Sequence, residues 1–283
     1  LLLITSLMAA VGAFLTTSVT SFYINTFYDQ MDSVFGAERQ DVVASLRSAA
    51  QEQDIPSLQK ILEVNAGLNH SSDMDPNKPI NWKRIIGVNG EYGCMGDLGI
   101  HTEHVPFRMG WIPQNVCAKL CKYVPERPDG KGGMAPCETW DNAILLCDVK
   151  DVDGSIFPMM YETKRLSPGS TNEWRLEVYG LEASAKFSTN DPGAFCYTQS
   201  LGKEQAWCRV NVGYKPMIPT LTGGIFEFGF TDSILQMWGA FMCELSGIEV
   251  PFGCVTPEET ELSHKLQTAA IRSHNEGRVI EIQ

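Results

Sequence analysis

The first 28 residues carry no charged side chain, and the earliest charge is Asp29. Gly-x-Gly-x-x-Gly occurs nowhere in the 283 residues; before residue 90 the only glycines are Gly12, Gly36, Gly67 and Gly87. A dinucleotide pyrophosphate is ordinarily seated on such a turn between a strand and a helix, so that seat has no sequence signal here. There is no Cys-x-x-Cys, and all nine cysteines lie after residue 90. No second ligand pair is spaced to complete a zinc site, so no metal is expected. Basic residues are outnumbered, 22 Lys and Arg against 34 Asp and Glu, giving a net charge of −12. That balance argues against nucleic acid or an anionic membrane surface as the main partner and suits a small or neutral ligand.

What is present is enough for a core. Hydrophobic residues make up 43% of the chain, which sets wholesale disorder aside, and the length allows one large domain or two smaller ones. The cysteines are odd in number, scattered, and placed in apolar stretches such as Ile144-Leu145-Leu146-Cys147. They read as buried, reduced thiols of a cytosolic protein.

Residues 1–28 form a candidate transmembrane or long hydrophobic helix, with Phe22, Tyr23, Phe27 and Tyr28 where an interfacial aromatic belt would sit. The chain starts with Leu rather than Met, which implies that upstream residues have been lost. Residues 29–70 read as a helical segment and linker. Val42, Val43, Leu46 and Ala49 share a helix face. Asp54 and Pro56 fit a second helix start, carried by Leu58, Ile61, Leu62 and Asn65 to a stop at Gly67. The polar run Asn69–Lys78 marks a boundary, and residues 71–283 read as one α+β domain.

In that domain strand signals dominate: 116–123, 142–150, 157–165, 173–179, 183–189, 206–212 and 224–230, separated by turns such as Pro128-Asp129-Gly130 and Pro168-Gly169. Short connections predict a large, mainly antiparallel open sheet. Helices are predicted over 97–109, 231–246 and 257–275, the last with Thr256 as cap and Pro257, Glu258 and Glu259 in its first turn.

The stretch that points to chemistry is Gly93-Cys94-Met95-Gly96-Asp97-Leu98-Gly99-Ile100-His101. On a helix, Asp97 and His101 lie one turn apart on one face. A carboxylate there can orient the ring and raise its basicity, and such a His can exchange a proton with a substrate hydroxyl or carbonyl. An ordinary helix-surface pair presents the same spacing. His104 either faces the same cleft or is a surface histidine. Trp82 can stack on a pyranose face and Arg84 can hydrogen-bond a sugar, or both can simply pack. Arg165, Asn172 and Trp174, around a Ser-Pro-Gly turn, are further pocket candidates. His70, His264 and His274 read as surface residues, and Glu138 and Asp141 as solvent-exposed.

Asn81-Trp82-Lys83-Arg84, the glycine-rich run to Gly99 and Asp97-x-x-x-His101 together resemble the substrate-binding half of the glucose–fructose oxidoreductase/inositol dehydrogenase/MocA family. So do Glu138–Ala143, Phe157–Arg165, Glu177–Phe187, and the ending from Cys254 through Gly277-Arg278-Val279-Ile280-Glu281-Ile282. The resemblance covers about residues 75–283. It implies a sugar, inositol or related polyol as substrate and NAD or NADP as cofactor. It also implies Asp97 and His101 as the proton-handling pair, and a homo-oligomer paired through the open sheet face. The family's cofactor half has no counterpart in this sequence, which implies an inactive polypeptide on its own. Residues 1–68 faintly resemble the first membrane helix and sensor segment of bacterial sensor histidine kinases, and no kinase motif follows. The two resemblances imply different compartments, so a composite gene joined near residues 67–75 is expected. The alternative is a membrane-anchored sensor that binds a ligand without chemistry; the oxidoreductase reading places the domain in the cytoplasm.

Overall fold

The computed structural model describes residues 60–151, 153–181, 183–199, 205–211, 216–221, 226, 228–250 and 253–283. The expected hydrophobic span 1–28 and the expected helix over 41–50 lie outside the described residues, as do residues 224, 225 and 227 of the expected strand 224–230, whose described residues form no strand. Among the described residues no helix is long and apolar enough to cross a membrane.

A ten-stranded mixed sheet organises the domain. Its strands are β1 (Ile61–His70), β2 (Ile112–Pro113), β3 (Asn115–Cys121), β6 (Asn142–Lys150), β7 (Ile156–Lys164), β8 (Asn172–Gly180), β9 (Ala183–Ser188), β10 (Ala194–Gln199), β11 (Cys208–Asn211) and β12 (Ile280–Glu281). A separate hairpin joins β4 (Glu126–Pro128) to β5 (Met134–Pro136). The order across the sheet is β11-β10-β9-β8-β1-β7-β6-β3-β12, with β2 paired to β6. Every pairing is antiparallel except β1 with β7.

β1 corrects the expected helix ending at Gly67. Ile61, Leu62 and Asn65 do recur at helical spacing, yet the segment is the strand at the middle of the sheet. Val64, Asn65, Ala66 and Gly67 are all buried, so its polarity does not alternate as a half-exposed strand's does. β6 shows the opposite behaviour: Ala143, Leu145, Cys147 and Val149 are buried, while Ile144, Leu146, Asp148 and Lys150 are exposed. The register carries this alternation across the sheet, so Val64, Ala66, Met159 and Tyr161 join β6 on the core face.

Helices α1 (Ile100–Arg108), α2 (Phe230–Leu245) and α3 (Pro257–Glu276) match the predicted positions. Thr256 Oγ1 accepts from the Glu259 amide at 3.2 Å, and Glu259 Oε2 accepts from the Thr256 amide at 2.8 Å, closing a capping box. Met95, Phe107, Trp111, Leu266 and Ala270 complete the core against the sheet. Arg108 ties α1 to the start of α3 through Glu259 Oε1 at 2.8 Å and the Gly253 carbonyl at 2.5 Å. The opposite sheet face stays open at Ile144 and Leu146, which are 39% and 53% exposed. All nine cysteines are free thiols; Cys94, Cys137, Cys147 and Cys243 are buried as expected, but Cys117 and Cys208 are exposed.

Candidate functional site

The site grows from the chain's approach to α1. Gly93 has φ +59°, and a Cβ there would stand 2.6 Å from the Trp140 backbone nitrogen. Only glycine lets the chain pass so close. From there Met95–Gly99 winds as one π-helical turn before α1 begins, so the predicted helix 97–109 has two geometries. Such turns re-aim side chains and recur at functional sites. Asp97 sits in the middle of this one.

Asp97 meets two cations from distant parts of the sequence. Lys83 Nζ stands 3.1 and 2.9 Å from its two carboxylate oxygens, and Arg165 Nη2 donates to Oδ2 at 2.6 Å. Lys83 is positioned by a short 3-10 turn whose cap, Asn81 Oδ1, accepts from the Lys83 amide at 3.0 Å. Arg165 continues β7 on the core face, next in alternation after Phe157, Met159, Tyr161 and Thr163. It is buried, and its Nε has no hydrogen-bond partner among the described residues.

No hydrogen bond joins Asp97 to His101 among the described residues. This corrects the expected orienting pair: the carboxylate is turned to Lys83 and Arg165. His101 opens α1 with an exposed side chain, and its carbonyl accepts from Trp174 Nε1 at 2.8 Å. Trp174 lies opposite Leu68 on the core face of β8, so the β8 edge reaches over to the start of α1. His70 ends β1 on the same face. It was expected to be a surface residue; instead it is half-buried and within electrostatic reach of Arg165, Asp73, Asp97 and Lys83. Burial is the main cause that lowers its pKa, and the Arg165 charge lowers it further.

The other candidates scatter. Arg84 is fully buried and paired to Asp73 and to Asp141, the latter at 2.5 Å. That corrects both its pocket assignment and the exposure expected of Asp141. Its desolvated guanidinium needs both carboxylates, and at 0% exposure it cannot reach a sugar. His104 faces α3, where it feels Glu259 and Arg108, with its ring edge-on to Phe107 at 6.2 Å; burial lowers its pKa. Trp82 is 54% exposed, with Lys83 Nζ 5.6 Å from its ring centroid. Behind the site Glu103 is fully buried, and burial pushes its carboxyl up to about 7 despite hydrogen bonds from Gln267 and Ser263. A cavity of about 380 Å³ between Lys119 and Lys164, on the open sheet face, contains none of the candidate residues. Among the described residues no three His, Cys, Asp or Glu side chains converge as metal ligands.

The result is one carboxylate acceptor between two cationic donors, with the His70 imidazole in electrostatic reach, where the parallel strands β1 and β7 end. Adjacent hydroxyl groups, each able to donate and accept, match that set of partners.

No protein-family model matches the chain, and no curated protein matches it. Solved structures do. A levoglucosan dehydrogenase in complex with NADH and L-sorbose superposes with a TM-score of 0.63 at 19% identity, over 81% of this chain and 60% of that one. An NAD-binding oxidoreductase from Klebsiella pneumoniae gives 0.65 at 20% identity, over 83% and 62%. An inositol dehydrogenase homologue complexed with NAD+ from Azotobacter vinelandii gives 0.58 at 15% identity, over 79% and 58%. The chain thus spans about 60% of the length of these proteins. The fold is that of the glucose–fructose oxidoreductase/inositol dehydrogenase/MocA type, as the sequence motifs implied.

Proposed function

We propose that the described domain is the substrate-binding half of a nicotinamide-dependent oxidoreductase acting on a sugar, inositol or related polyol. The observation that carries this reading is the Asp97 carboxylate held by Lys83 at 2.9 Å and Arg165 at 2.6 Å beside the exposed His101. In this reading Lys83 and Asp97 hold neighbouring substrate hydroxyls, and Trp174 packs along the carbon skeleton. His101 exchanges the hydroxyl proton with solvent. Asp97 acts on substrate and cations directly, rather than by steering the imidazole.

The cofactor does not fit the described residues. They contain no glycine-rich turn between a strand and a helix of the kind that seats a pyrophosphate, and the parallel pair β1 and β7 is joined through α1 and five intervening strands. No step is therefore derived through the nicotinamide; a separate dinucleotide-binding unit is expected to supply it, in the cytoplasm where that cofactor is abundant. Pairing of two copies through the open face at Ile144 and Leu146 belongs to the same reading.

Titration of the purified chain with levoglucosan, L-sorbose or myo-inositol, followed by the Trp174 indole and His101 ring NMR signals, tests it. Saturable shifts with at least one of these are expected, together with no NAD(P)H formation by the chain alone. Unmoved signals with all three would overturn the substrate class; steady NAD(P)H formation would overturn the separate-cofactor reading.

A further inference from the structure

Behind the Asp97 turn two polar side chains meet inside the core. Glu103 on α1 and Gln267 on α3 are each 1% exposed. Gln267 Nε2 lies 3.1 and 3.3 Å from the two Glu103 carboxyl oxygens and 3.2 Å from the Met95 carbonyl. A backbone carbonyl can only accept, so the end of the amide that faces it is the NH2, whose other hydrogen serves Glu103. The pair therefore holds Gln267 in one orientation. Apolar side chains would fill the same space without the cost of burying two polar groups, so packing alone does not account for them.

Met95 is where the π turn begins. Its carbonyl accepts from the Ile100 amide, the five-residue step that makes this turn wider than an α-helix, and Gln267 supplies a second donor to the same oxygen. The turn also rests on the pair directly. A Cβ on Gly99 would stand 3.2 Å from Glu103 Oε1 and 3.6 Å from Gln267 Nε2, and one on Gly96 would stand 3.9 Å from Gln267 Oε1. Asp97 lies between these two glycines, and its carboxylate goes to Lys83 and Arg165.

We propose that Gln267, oriented by Glu103, is a positioning residue for the candidate site: its bond to the Met95 carbonyl holds the π turn in its wide form and so sets where Asp97 meets Lys83, Arg165 and a bound polyol. In this way α3 tunes ligand affinity without touching the ligand. The effect on polyol affinity rests on the proposed function above; the placing of Asp97 does not.

The test uses the full chain labelled with 13C and 15N. Gln267→Met fills the space and removes the donor. Without ligand it should shift the Asp97 carboxyl carbon and Ile100 amide signals, and it should weaken binding of levoglucosan or myo-inositol about tenfold. Glu103→Leu leaves the amide without its guide and should shift the same signals by less. Glu103→Gln keeps an acceptor for Gln267 and should bind as the wild type does. Ser273→Ala is the control. It removes another buried bond of α3, Ser273 Oγ to the Arg278 carbonyl at 2.6 Å, and should lower the urea midpoint while leaving Asp97 and binding unchanged. Unmoved Asp97 and Ile100 signals in Gln267→Met, or wild-type affinity in it, would overturn the inference and leave the proposed function standing. Equal shifts in Ser273→Ala would also overturn it, because a general loosening of the core predicts that result. If Gln267→Met does not fold, Glu103→Leu reads the same signals. If neither polyol binds the wild type, the proposed function fails, and the two ligand-free signals still decide whether Gln267 places Asp97.

Discussion

Lys83 and Arg84 are neighbours in sequence, yet they serve different ion-pair clusters. Arg84 is 0% exposed between Asp73 and Asp141, and these two carboxylates are 4% and 1% exposed as side chains. Each is tied further into the fold. Asp73 Oδ1 accepts from Lys78 Nζ at 2.8 Å, and Asp141 Oδ2 accepts from the Tyr123 and Val124 amides at 2.6 and 3.1 Å. Arg127, buried alongside, donates to the Asp73 carbonyl at 2.6 Å and the Asp75 carbonyl at 2.7 Å. That cluster pins the loop after β1 to the loop before β6. In the other, the Lys83 and Asp97 side chains are 34% and 21% exposed. The residue types are the same, and water decides the job: a sealed ion pair can only hold structure, while a half-open one has hydrogen-bonding capacity left for a ligand.

Breaking the sealed cluster should have the largest effect on stability. Arg84→Met leaves the buried Asp141 without its cation and Asp73 with Lys78 alone, and should cost about 3–5 kcal/mol in urea unfolding. A loss below about 1 kcal/mol would mean the two clusters do not differ as described.

Glu103, sealed like Arg84 but without an ionic partner, should show its burial through pH. Its pKa of about 7 lies above the ordinary 4.5. The folded state therefore holds a proton that the unfolded state releases between those values, so this group's stabilisation is complete below about 4.5 and lost as pH rises through about 7. The wild type should lose of the order of 3 kcal/mol across that window through this group, and Glu103→Gln should flatten the slope. Equal slopes in the two proteins would place Glu103 in water.

Gly93→Ala tests the entry to the π turn. Positive φ and a 2.6 Å approach to backbone should cost about 1–3 kcal/mol and displace Asp97, so polyol affinity falls along with stability. Unchanged affinity would detach the turn from the site. Smallest in stability is Asp97→Asn, at about 1 kcal/mol, because Lys83 and Asp97 are part-exposed and the new amide oxygen can still accept from the buried Arg165.

Legibility in the sequence followed burial in the same way. β6 was readable to the residue because one face is wet and the other dry. β1 was not: buried on both sides at the middle of the sheet, it lost the alternation, and Ile61, Leu62 and Asn65 happened to fall at helical spacing. β10 also went unread; it follows Asp191-Pro192-Gly193, and Ala194 is buried while Phe195–Thr198 are all half-buried, so no period of two stands out. Asp97 was expected to pair with His101, and its partners in the structure are Lys83 and Arg165. Lys83 lies 14 residues before it and Arg165 lies 68 after it, distances no local spacing rule can bridge. His70 was passed over because its neighbours in sequence are polar, whereas its neighbours in space come from β7, β8 and the π turn.

The most direct measurement sets Asp97→Asn beside the wild type in two readouts, urea midpoint and polyol titration. The account predicts a midpoint almost unmoved and binding of levoglucosan, L-sorbose or myo-inositol reduced at least about tenfold, since a charged acceptor is lost from a half-open site. A variant that binds as the wild type does, or one that unfolds as readily as Arg84→Met, would contradict the division between the two clusters.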